Sequence, residues 1–406
     1  MSLDEIAEGY VKLVLAVGLY DPYLVDAYFG PEDWRPGPEE KGKARYSLEE
    51  LESTCSNLVA ACGRCTEEDS LRRIYLEKQL ISLATKLRLL QGEQLSFDEE
   101  SSGLYDAVLP AQDESTFAEA VHELESVIPG SGPLGERYIE LLKRFIIPSD
   151  KVAAVFDAAV AEARKRTMEY ITLPEQESFS IEYVVGQPWS AYNWFKGNAF
   201  SLIQVNTDLP IYINRPVGLA CHEGYPGHHV FHSLLEEKLY KGKGWVEYLV
   251  NPLFSPQSMI AEGTANYGIR LAFTREEQRE FERNILYPLA GLSIELQDTL
   301  QEMREPLKKL RYADNAISRR YLDGEVDRRE AVRWLEKFSL TTRERAEKRL
   351  EFVERYRSYV INYTLGEGLV RQYVESHAED RAERWKVFTT LLKTPRVPSG
   401  LIVAES

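Results

Sequence analysis

Cysteine, histidine and positive charge are all in short supply in this chain of 406 residues. Four cysteines are too few for a disulfide scaffold. Cys62-Gly63-Arg64-Cys65 has redox or metal spacing, but no second pair accompanies it and no strand precedes it. Reduced thiols in the cytoplasm are therefore the expectation. Cys221 reads as a small packing residue. Against 65 acidic residues stand 49 basic ones, a formal net charge of −16 that argues against nucleic acid and anionic membranes as partners. No apolar run is long enough to span a bilayer, and Met1-Ser2-Leu3-Asp4-Glu5 does not open as a signal peptide does. There is no internal repeat and no low-complexity segment. The composition, 44% hydrophobic and 28% charged, is that of a soluble protein with enough chain for one large domain or two lobes.

The few histidines are not scattered. Four of the six, His222, His228, His229 and His232, lie in or just after Cys221-His222-Glu223-Gly224-Tyr225-Pro226-Gly227-His228-His229. Helix-borne zinc hydrolases present two imidazoles from positions i and i+4, with a glutamate between them as base. His222 and His228 are six apart, about 240° and about 9 Å in an unbroken helix, too far to share an ion. His229, at i+7, regains the face but sits roughly 10 Å along the axis. The helix must be interrupted, and Pro226-Gly227 can interrupt it. Pro226 has no N–H and its ring would clash with the carbonyl of His222, while Gly227 tolerates the dihedrals of a bulge. Looping out those two residues returns His222 and His228 to i, i+4 geometry, with Glu223 beside the metal. Two readings compete: histidines hydrogen-bonded without a metal, and a metal on the true i, i+4 pair His228 and His232, which has no carboxylate placed as base between its members. A catalytic site also needs a third protein ligand. Glu262, in Ala261-Glu262-Gly263-Thr264-Ala265-Asn266-Tyr267, is the leading one, because its small neighbours let two helices approach closely.

Apolar periodicity and capping signals predict helices over 4–20, 47–62, 70–91, 115–127, 134–145 and 150–170, with a loop over 28–46. These form a helical N-terminal lobe, residues 1–172. Beyond it, 178–185 and 200–206 alternate apolar and polar side chains and read as two strands of a small antiparallel sheet. An edge strand beside the metal helix suits an extended peptide. Helices from Pro216 to about Tyr240 and around Glu262 belong to a metal-binding catalytic lobe, 173–406, whose tail from Pro395 is expected to be loosely held. The fold class expected is mainly α, a large helical two-lobed protein with a small antiparallel β-sheet beside the active-site helix.

Taken together, the octet from His222 to His229, Glu262-Gly263-x-Ala265-x-Tyr267, an Arg-rich helix ending in Asp323-Gly324, Glu354-Arg355-Tyr356 and Tyr363-x-x-Gly366 resemble the bacterial domain of unknown function 885 family. That family is similar to helical zinc metallopeptidases of the thimet oligopeptidase and thermostable carboxypeptidase type. The resemblance covers roughly residues 180 to 375. It implies His222, His228 and Glu262 as zinc ligands, His229 as an alternative to His228, and Glu223 as general base. Tyr363 matches the late Tyr-x-x-Gly and is implied as the oxyanion donor, with Tyr267 as its competitor. Arg319, Arg320 and Arg371 are implied, by family position, as the cations that grip a substrate carboxylate, and Asn206 is a further candidate substrate contact. The chain departs from the pattern at Thr264, where the family often has Trp, and at Asp323-Gly324-Glu325, which lacks a His.

The function expected is a gluzincin-like zinc hydrolase, a metallopeptidase cleaving small peptides. Two histidines and one glutamate favour zinc over manganese or cobalt. The alternatives are a zinc hydrolase of a non-peptide amide or ester, and a catalytically inactive helical binding protein.

Overall fold

Short polar residues at helix starts set the frame. Ser2, Ser47 and Ser96 close capping boxes on helices Leu3–Val17, Leu48–Arg64 and Phe97–Tyr105, and Asp69 caps Ser70–Leu90. Helices Glu114–Val127, Leu134–Lys143 and Val152–Met168 follow. The six helices expected in this half are present. Phe97–Tyr105 is additional, a nine-residue helix too short and polar to show a period. The computed structural model describes residues 1–37, 46–66, 69–187, 189–208 and 210–403, so part of the loop expected over 28–46 lies outside the described residues.

Five strands are described: β1 (Val25–Tyr28), β2 (Ser178–Val184), β3 (Ala191–Phe195), β4 (Phe200–Asn206) and β5 (Val250–Pro252). β2 and β4 are the two expected strands, but they pair in parallel, Ser178 with Phe200 through Val184 with Asn206. The expectation of an antiparallel pair is corrected by β3, which reverses the chain between them and pairs antiparallel with β4. β1 and β5 form a separate antiparallel ribbon that ties the N-terminal segment to the region before Glu262.

The helix Pro256–Ala272, which carries Glu262, is the axis of the molecule. Fourteen of its 17 residues are buried, as expected of a helix with packing partners on every side. The helix Leu365–Ser376 crosses it closely: a Cβ on Gly263 would sit 2.4 Å from the carbonyl oxygen of Gly366. One hydrophobic core runs from Leu3 to Leu401, and helix Glu114–Val127 packs along Gln297–Leu322. The texture change near residue 172 is therefore spanned by continuous packing. The part of the tail from Pro395 that the structure describes is not loosely held, contrary to expectation. Val397 and Leu401 are buried, because two apolar side chains in a short 3-10 turn find the core.

Candidate metal centre

The helix that begins at Pro216 changes character where the histidines start. Pro216–Leu219 is α-helical, Ala220–Gly224 widens to a π-turn, and a new helix starts at His228. Tyr225 N–H bonds to Ala220 O at 3.0 Å and Gly227 N–H to Cys221 O at 2.9 Å. Gly227 lies so close to the preceding turn that a Cβ there would be 1.9 Å from the carbonyl oxygen of His222. The interruption expected at Pro226-Gly227 is present, and a widened turn precedes it.

This break brings the two imidazoles together. His222 Nε2 and His228 Nε2 are 3.2 Å apart, and Glu262 Oε2 lies 3.3 Å from the first and 3.8 Å from the second. One donor atom from each residue falls within 4.8 Å of the others. Glu262 Oε2 is buried and has no hydrogen-bond partner, whereas Oε1 accepts the Tyr359 hydroxyl at 2.9 Å. His222 Nδ1 meets Asn266 Oδ1 at 3.2 Å, and Asn266 Nδ2 donates to the Tyr363 carbonyl at 3.0 Å. That chain fixes the amide, puts the His222 proton on Nδ1 and frees Nε2 for a ligand.

Electrostatics favour a cation here. Burial would depress His222, but the close approach of Glu262 and the charges of Glu223 and Glu262 outweigh it and raise the imidazole. Burial lowers His228 to about 4. Burial would also raise Glu262, yet the two histidines hold it down. Burial pushes Glu223 up to about 7, and the Glu262 carboxylate adds to the shift. Asp26, in β1, is likewise pushed up to about 7 by burial, with Glu262 and Glu223 contributing. Three carboxylates thus share one neighbourhood, two convergent Nε2 atoms face an orphaned carboxylate oxygen, and a divalent ion with these ligands fits the donor set.

The other expected site residues separate clearly. His229, the alternative ligand, is fully buried on another face. Its Nδ1 meets Ser201 Oγ at 2.8 Å and its Nε2 meets Glu177 Oε2 at 3.0 Å, so both ring nitrogens are used. That carboxylate also takes the Tyr225 hydroxyl at 2.7 Å and pairs with Arg164. Burial would raise Glu177, but hydrogen bonds from His229, Tyr225 and Arg164 bring it to about 2. His232 stacks parallel to His228, 21° between planes, rather than aiming a nitrogen at the same point. Tyr267 is a correction: five residues beyond Glu262 puts it across the helix, buried with its ring 6.0 Å from Phe388. Arg319 is another, since it ties helix to loop through Asp98 Oδ1 at 2.6 Å and the Leu109 carbonyl. Arg320 belongs to an ion-pair set with Glu114, Glu325 and Glu330. Asn206 spends its amide on the carbonyls of Gln187 and Trp189 and on Asp208 N–H, holding the loop before β3. The charge of Arg371 acts on Lys308 and Tyr267.

Tyr363 is half-buried, and the Glu262 and Glu223 charges act on it. Burial and those carboxylates keep its phenol protonated, hence a donor. Three residues had escaped the sequence. Tyr359 and Asn266 hold the ligands, and Asn193 Nδ2, on β3, donates to the Glu223 carbonyl at 2.7 Å. Asn266 sits inside the Glu262 motif and repeats its helical phase four residues on, a usable signal. Tyr359 and Asn193 carried none.

No family model matches the chain, and no curated protein matches it. Solved structures match the chain, two of them described as putative lipoproteins. A "putative lipoprotein from Colwellia psychrerythraea" superposes with a TM-score of 0.54 at 14% identity, over 91% of this chain and 69% of that one. A "putative lipoprotein of unknown function from Shewanella oneidensis" gives a TM-score of 0.38 at 14% identity, over 85% and 71%. Among the described residues no helix is long and apolar enough to cross a membrane. The likeness to the Colwellia protein is one of fold, and the chemistry of this chain rests on its own residues.

Proposed function

We propose that this protein is a zinc-dependent hydrolase of small peptides, as the resemblance to the domain of unknown function 885 family suggests. The observation that carries the reading is the convergence of His222 Nε2, His228 Nε2 and the partnerless Glu262 Oε2. Those three residues would hold the metal, which lowers the pKa of water and polarises a carbonyl. Glu223, one residue from His222 and raised toward neutrality, is the general base that accepts the proton of water and returns it to the leaving amine. Tyr363, protonated and beside both carboxylates, donates to the oxyanion. β3 lies beside Glu223 and, among the described residues, pairs on one side only, which suits an extended peptide.

Metal content by elemental mass spectrometry and turnover of a peptide library test the reading together. The wild type is expected to hold one zinc per chain, His228→Ala to lose it, and Glu223→Gln to keep it while losing turnover. A wild type that binds no divalent metal sinks the proposal, and so does turnover that survives Glu223→Gln.

A further inference from the structure

The charges of Glu262, Arg349 and Glu223 all act on Tyr363. Tyr363 and Arg349 both line a cleft of about 440 Å³, within the roughly 300–1,000 Å³ typical of small-molecule sites. The walls come from helix Gln297–Leu322, helix Arg343–Tyr356 and the turn Arg357–Tyr363.

Three arginines line this cleft in a protein of net charge −16. Arg349 is committed to Asp314, with Nε 3.1 Å from each carboxylate oxygen. Arg311 is held loosely, 3.5 Å from a Glu367 carboxylate that Arg270 contacts at 3.0 Å. Arg345 is half-buried, and among the described residues its guanidinium has no hydrogen bond or ion pair. One unpaired guanidinium, Arg345, beside the loosely held Arg311, in a cleft that reaches Tyr363, forms a receptor for a planar anion.

We propose that the cleft is a carboxylate subsite in which Arg345 and Arg311 grip a carboxylate of the substrate, so that the adjoining chain passes Tyr363 toward Glu223. The proposal rests on the hydrolase reading of the metal centre. It replaces Arg319 and Arg320, which the fold commits to other partners, with residues that the cleft exposes. The carboxylate has two sources in a peptide, its C-terminus or an acidic side chain, and both use the same chemistry.

The test measures binding rather than turnover, on the full chain carrying Glu223→Gln so that probes stay intact. Calorimetry is run with N-acetyl-Ala-Ala-Ala, its C-terminal amide, and N-acetyl-Ala-Asp-Ala amide, with metal content scored separately on the same protein. At least one carboxylate-bearing probe is expected to bind about tenfold or more tightly than the plain amide. Preference for the free acid marks a C-terminal subsite, and preference for the Asp amide a side-chain one. Adding Arg345→Gln is expected to erase the preference, and adding Arg345→Lys to keep part of it, with unchanged thermal midpoints showing that both variants fold. Equal affinity for all three probes, no binding of any, or a preference that survives Arg345→Gln overturns the subsite. Missing zinc on elemental analysis is the separate failure of the metal reading.

Discussion

Tyr359 donates its hydroxyl to Oε1 of Glu262 at 2.9 Å, and Oε2 of the same carboxylate is left buried without a partner. One oxygen is thus pinned so that the other faces His222 and His228. Removing an outer partner of this kind lowers metal affinity about 10–100-fold. Tyr359→Phe is expected to weaken zinc binding by that much in a chelator competition, with the fold intact. An unchanged affinity would show that packing alone orients Glu262.

His228 and His229 are neighbours with opposite fates. His228→Ala is expected to lose metal, while His229→Ala keeps it and loses stability, because Glu177 and Ser201 are left buried without their partner. The cost expected is about 1–3 kcal/mol, read from denaturant unfolding of the two variants. Loss of zinc from His229→Ala at full occupancy of His228→Ala would reverse the assignment.

Gly263 and Gly366 set how close their helices come. Gly263→Ala drives a methyl to 2.4 Å from the Gly366 carbonyl, a backbone atom that cannot swing aside. The helices must part, pulling the Tyr363 carbonyl away from Asn266. Lower thermal stability together with weaker zinc binding is expected. Wild-type values for both would mean that the crossing adjusts without strain.

The Arg72 guanidinium binds Glu247 through Nε at 2.7 Å and a second nitrogen at 3.0 Å, and the Glu247 side chain is wholly buried. Arg72→Ala strands that carboxylate and is expected to cost about 3–5 kcal/mol in chemical denaturation. A loss below about 1 kcal/mol, the range of exposed pairs, would contradict it.

Glu282 gives a pH dependence that does not involve the metal centre. Burial raises it from 4.5 to about 7, against opposing hydrogen bonds and the Arg304 charge. The folded state therefore holds this proton more tightly than the unfolded chain does. Its contribution is most favourable below pH 4.5 and is lost as pH rises through 7. Glu282→Gln is expected to flatten stability across that window relative to wild type. Curves that stay parallel would rule the group out.

The sequence by itself determined the parts of the protein that depend on near neighbours. Capping boxes and periodicity placed the N-terminal helices, because those signals act within one helical turn. The clash of Pro226 with its own helix, and the tolerance of Gly227, required a break that lets His222 meet His228. Tertiary structure alone decided the rest. Asn266 lies 44 residues from His222, Tyr359 lies 97 from Glu262, and Arg349 and Tyr363 share a cleft with Arg311 only after two helices and a turn pack together. The two strands read as an antiparallel pair became parallel because β3, which comes between them in sequence and pairs antiparallel with β4 at five positions, reverses the chain. Arg319, Arg320 and Asn206 had the right chemistry for substrate but found partners within the fold. A side chain's type is written in the sequence, while its freedom to bind is set by which distant groups arrive beside it.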